Sequence, residues 1–138
     1  MARFLAVAVL LVACSHSSNV TIQGEVRAPG ATSDLPITQG DCSAETNPMA
    51  GKQVVIQDGA GNIIGTATTK STDATFVDKG LGITICHFDA SFSLSVPKAD
   101  FYKAVIEAPA GEQSSDVVSY ADLASGGFKM TVVYNSVH

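Results

Sequence analysis

A chain of 138 residues has room for one domain and enough length to bury a substantial core. Its net charge of −5, with only eight Lys and Arg residues scattered along the sequence, excludes the basic runs that grip phosphate, so no nucleic acid partner is expected. The low share of charged residues (15%) and the abundance of Gly, Ala, Ser, Thr and Val favour an all-β domain with many turns over a helical bundle.

Met1-Ala2-Arg3 gives a short positive start, and residues 4–13 form an unbroken apolar run. The run is shorter than the roughly 20 residues a membrane-spanning helix needs, and it has the layout of a secretory signal. It ends Leu11-Val12-Ala13-Cys14, which resembles a bacterial lipobox: a branched apolar residue, two small or apolar residues, then cysteine. The resemblance implies cleavage between Ala13 and Cys14, diacylglycerol on the Cys14 sulfur, and a protein held on the extracytoplasmic side of a cell membrane with the lipid bilayer as its first partner. Loss of Arg3 with the signal leaves the mature part at −6. Such an acidic surface is repelled by anionic lipid, so attachment is expected through the anchor. A single acyl chain binds only marginally and two or more hold firmly, at about 0.8 kcal/mol per buried methylene. An ordinary signal with a chance cysteine, or an uncleaved anchor, is the alternative. The polar residues Ser15-His16-Ser17-Ser18-Asn19 then make a tether that reaches at most about 17 Å. The chain divides into a signal at 1–13, an acylated tether at 14–19 and a β-sandwich domain at 20–138.

With Cys14 acylated, Cys42 and Cys86 remain as an even pair in an oxidising compartment, and a disulfide between them is expected; two separate thiols are the alternative. Their spacing is too wide for a redox CxxC motif, and no histidine cluster suggests zinc.

In chain order, residues 20–26 alternate, with Val20, Ile22 and Val26 on one face, and predict a first strand ended by Ala28-Pro29-Gly30. Residues 27–51 carry turn formers with little periodicity, a long loop that Cys42 would tie down, with a short strand at 35–38 as an option. Residues 53–57 and 63–69 predict a hairpin around Asp58-Gly59-Ala60-Gly61-Asn62. A polar turn is expected at 70–74 and an edge segment from Phe76-Val77 to Gly80 and Gly82. Residues 83–96 carry the clearest signal, with Thr84, Cys86, Phe88, Ala90, Phe92, Leu94 and Val96 on the core side of one long strand, bent or bulged near Asp89-Ala90. After a turn at 97–100, residues 101–108 predict a strand with Tyr102, Ala104 and Ile106 on one face. A loop at 109–116, a short segment at 117–120, one helical turn at 121–124 and a last strand at 128–134 complete the chain. In the last strand Phe128, Met130, Val132 and Tyr134 share a face. About seven strands in one all-β sandwich are expected.

The segments Gly51-Lys52-Gln53-Val54-Val55-Ile56-Gln57-Asp58, Gly61-Asn62-Ile63-Ile64-Gly65-Thr66-Ala67-Thr68-Thr69, Phe92-Ser93-Leu94-Ser95-Val96-Pro97 and Phe101-Tyr102-Lys103-Ala104-Val105 together resemble the transthyretin-like, carboxypeptidase-regulatory type of β-sandwich. The resemblance spans residues 20–108. It departs from the family pattern between Thr69 and Phe92 and in the Cys42 loop. Such domains mostly stabilise, space or bind, and the fold does not by itself transfer a function.

No GxSxG, HExxH, P-loop or dinucleotide fingerprint occurs, and no catalytic set, cofactor or metal site is expected. His87 and Asp89, two apart on the polar face of a strand, could pair, but an exposed polar pair is the expected reading. Asp58-Gly59-Ala60-Gly61-Asn62 lacks the alternating oxygens and distal Glu of a calcium loop. Asp41, Glu45 and Asn47 mark a polar loop that could meet a partner, while His16 belongs to the tether. The residues favour a non-catalytic binding or structural module of the cell envelope, with an envelope protein or polysaccharide as partner. A phage- or prophage-encoded lipoprotein that interferes with superinfection is the alternative. Less favoured is an envelope-polymer enzyme centred on Asp89, His87 or Asp41.

Overall fold

The computed structural model describes residues 18–31, 38–81, 84–108 and 111–134. It is an all-β sandwich of two packed sheets. Its strands are β1 (Asn19–Ala31), β2 (Gln53–Asp58), β3 (Ile63–Thr68), β4 (Lys70–Asp78), β5 (Thr84–Pro97), β6 (Phe101–Ala108), β7 (Gly111–Ser114), β8 (Val118–Ser119) and β9 (Lys129–Val133), with the short helix α1 (Tyr120–Ser125) before β9. One sheet runs β4-β5-β1-β9 and the other β3-β2-β6-β7, with β8 also pairing β6. Among the described residues only the β1–β9 pair is parallel.

The alternating residues become the core. Ile22 and Val26 of β1, Val54 and Ile56 of β2, Ala90 and Val96 of β5, Tyr102, Ala104 and Ile106 of β6 and Val132 of β9 are completely buried. Each large aliphatic among them contributes about 1.5–3 kcal/mol relative to leaving it in water. Leu94 is only half-buried, at the margin of the cluster. Tyr102 hydroxyl accepts the backbone N–H of Ala99 at 2.7 Å, which ties the start of β6 to the turn before it and satisfies the one polar atom of a buried ring.

Nine strands stand among the described residues where about seven were expected. The expected turn at 70–74 is the first half of β4, a nine-residue strand on the edge of the four-stranded sheet. Its run of Lys, Ser, Thr and Asp lacks apolar alternation because an edge strand keeps much of its surface in water. Within the expected loop at 109–116, Gly111–Ser114 forms β7 against β6. β1 also continues beyond its expected stop, through Pro29 and Gly30 to Ala31. Its register against β5 shifts between Ala28 and Ala31, where a missing N–H costs the ladder little. β5 itself carries no break at Asp89-Ala90; the irregularities fall on its neighbours, β1 and, between Ser71 and Asp73, β4. Phe128 stands just before β9 with φ at 58°, donating its N–H to Leu123 O at 2.7 Å. The expected short strand at 35–38 lies outside the described residues save for Thr38, which is in no strand.

One of the chain's passages between sheets takes a single residue. β3 and β4 belong to different sheets, and Thr69 alone separates them. Thr69 is buried; its hydroxyl donates to Met49 O and accepts Lys52 N–H at 2.9 Å, and its own N–H reaches Lys52 O at 2.9 Å. A corner of this kind lets one run of residues serve both layers.

Gly24 and Phe92 face each other across β1 and β5, and the Phe92 ring lies where a Cβ on residue 24 would be. Gly24→Ala is expected to lower stability by about 1–3 kcal/mol in urea unfolding. The loss should shrink when the ring is first shortened in Phe92→Leu, because residues in contact couple; equal losses in both backgrounds would contradict this packing.

Candidate functional site

The long segment before β2 is stitched down at several points. Cys42 and Cys86 are brought to disulfide distance, with Cα atoms 5.6 Å apart, and both residues are buried. Asn47, also buried, donates from Nδ2 to Asp89 O at 2.8 Å and to Ser71 Oγ at 3.0 Å, and its Oδ1 accepts Met49 N–H at 2.8 Å. Met49 is completely enclosed. Asp41 accepts the Thr38 hydroxyl at 2.6 Å and the Thr38 N–H at 3.0 Å, and these bonds, the side-chain one first, hold its carboxyl below its ordinary pKa. Of the three polar residues expected to face a partner, Asp41 and Asn47 are therefore occupied in holding the loop, and Glu45 stays exposed.

The remaining candidates resolve similarly. Asp58 closes the β2–β3 turn. One carboxylate oxygen accepts the N–H groups of Ala60 and Asn62, each at 2.9 Å, and the other accepts Asn62 Nδ2 at 3.0 Å. The Asn62 side chain is the largest cause that lowers the Asp58 pKa. His87 and Asp89 share the outer face of β5, as their spacing requires, but no hydrogen bond joins their side chains. Among the described residues no group of three or more His, Cys, Asp or Glu side chains could hold a metal ion. Cys14 and His16 lie outside the described residues, as does His138. Among the described residues, no helix is long and apolar enough to cross a membrane.

The feature that sequence reading missed is an open trough of about 730 Å³ on the outer face of the four-stranded sheet. Strand register builds it. Lys70 of β4 sits opposite Ser91 of β5, Ser91 opposite Glu25 of β1, and Glu25 opposite Thr131 of β9. In the neighbouring row Ser93 sits opposite Gln23, and Gln23 opposite Lys129. All seven side chains line the trough, with Arg27 and Thr68 at its borders. Arg27 donates to Glu25 Oε2 at 2.8 Å, the one salt bridge among the described residues, while the ammonium groups of Lys70 and Lys129 have no ion-pair partner there. Three strand spacings of about 4.8 Å, with an offset of two residues (about 6.8 Å) along the strands, put the two lysines' backbones about 16 Å apart. The alternation that marks these strands did signal an outward polar face, but not which outward residues from four strands would be neighbours.

No family model, curated protein or solved structure matches the chain.

Two outcomes follow from this geometry. In the oxidised protein, Cys42 and Cys86 should resist alkylation under denaturing, non-reducing conditions, and reduction should lower stability by up to about 4 kcal/mol in the chain-entropy picture; two alkylatable thiols would reject the bridge. The Asp58 carboxyl should titrate below the ordinary Asp value by NMR and return toward it in Asn62→Ala. Because the folded pKa is the lower one, any stabilisation from this bonding is present above the unfolded pKa and lost as pH falls through the folded value.

Proposed function

We propose that the chain is an extracytoplasmic lipoprotein, held at a cell membrane through acylated Cys14, whose β-sandwich serves as a non-catalytic binding or structural module of the envelope. The observation that carries this reading is Leu11-Val12-Ala13-Cys14 at the end of a short apolar run, only a few polar residues ahead of β1 at Asn19. With so short a tether the domain sits against the surface to which its lipid is bound. A buried Cys42–Cys86 pair fits an oxidising compartment, where such bridges form and persist. The transthyretin-like resemblance of residues 20–108 supports an accessory role. Of the residues on which an enzyme would have to rest, Asp41 is engaged in bonding Thr38 within the loop, and the side chains of His87 and Asp89 share no hydrogen bond.

Radiolabelled palmitate is expected to enter the full chain when it is expressed in a bacterium with lipoprotein processing, and Cys14→Ser should abolish both the label and membrane retention. Absence of label from the unaltered chain, together with an intact Met1, would overturn the reading. Alanine at His87 should leave whatever phenotype the protein confers unchanged.

A further inference from the structure

We infer that the trough on the four-stranded sheet is a binding surface for an extended polysaccharide that carries acidic groups. This names a partner for the envelope module proposed above and rests on that reading for its location, though not for its chemistry. The trough gathers Arg27, Lys70 and Lys129, three of only eight Lys and Arg residues in a chain of net charge −5. Its single lining carboxylate, Glu25, is already neutralised by Arg27 at 2.8 Å. The local balance is therefore positive on an otherwise acidic protein, and the two lysines without a salt-bridge partner supply it.

The arrangement of those lysines selects the shape of the ligand. They stand on the two edge strands of the sheet, about 16 Å apart at the backbone, too far for one small anion to meet both without drawing both side chains inward. A diagonal from Lys70 through Ser91, Ser93 and Gln23 to Lys129 crosses only hydroxyl and amide side chains, the donors and acceptors that pair with sugar hydroxyls. One row farther along the sheet Asp73 and Asp89 oppose each other across β4 and β5, with Arg27 opposite Asp89 on β1, and two carboxylates against one cation disfavour a polyanion at the β4–β5 end of that row. Charge complementarity of this kind gives orientation and salt-sensitive binding, since the groups are exposed.

The test uses affinity electrophoresis of the full chain, in non-ionic detergent, through gels containing polygalacturonate or neutral dextran. Polygalacturonate should retard the protein, less so as salt rises, and dextran should not. Lys70→Gln combined with Lys129→Gln should weaken retention by about tenfold or more with an unchanged thermal midpoint, while Lys103→Gln on the opposite sheet should have little effect. Asp89→Asn should strengthen it. Equal retention of the double variant, or equal retention by dextran, would overturn the proposal. So would capture of the Cys14→Ser chain by phosphatidylglycerol vesicles without retention by polygalacturonate, an outcome that would make the face a lipid contact. Retention is read on both the acylated and the Cys14→Ser chains, so loss of the lipid anchor and loss of the glycan site give separate results.

Discussion

Between Thr84 and Pro97, β5 keeps a two-residue alternation through its whole length, and its two neighbours absorb the irregularities that so long a strand would otherwise suffer. Its inward residues Phe88, Ala90, Phe92 and Val96 lie in the common core, while Cys86 receives the loop that precedes β2. Phe92 covers the bare backbone of Gly24, and Val96 and Leu94 fill the space that a side chain on Gly65 of β3 would need. Gly65 thus lets the two layers approach each other, while Gly24 makes room for the Phe92 ring within one sheet. A single-residue slip of β5 would turn all its apolar side chains to water, so this strand sets the register of the sheet around it.

The segment from Thr38 to Lys52 shows how a stretch with little periodicity is ordered. Its polar side chains are satisfied by specific backbone partners, with Asn47 bonded to Asp89 O and Met49 N–H and the Thr69 hydroxyl bonded to Met49 and Lys52. No buried side-chain nitrogen or oxygen among the described residues lacks a partner. That completeness matters because an unpaired buried polar group costs about as much as several good contacts return. The loop therefore belongs to the scaffold.

Legibility in the sequence followed burial. Residues 20–26, 53–57, 63–69 and 101–108 read as strands because one face of each is buried or covered and period-two patterning records that fact. The segments 70–74 and 111–114 read as turn and loop because edge strands do not need apolar alternation; their pairing comes from a neighbour that the local sequence does not specify. Phe128 had the right periodicity for β9, yet it stands outside the strand, bonded to the end of α1.

The residue order by itself determined the class of the domain, the inward face of its main strands, the hairpin at Asp58 and the pair of cysteines available to meet. Each of these follows from chemistry within a few residues, or from counting. Tertiary structure alone decided that Thr69 hands the chain from one sheet to the other, that β9 runs parallel to β1, and that lysines 59 positions apart flank one trough. Outward side chains carry no burial signal, and strand order, which sets their neighbours, arises from contacts between distant parts of the chain.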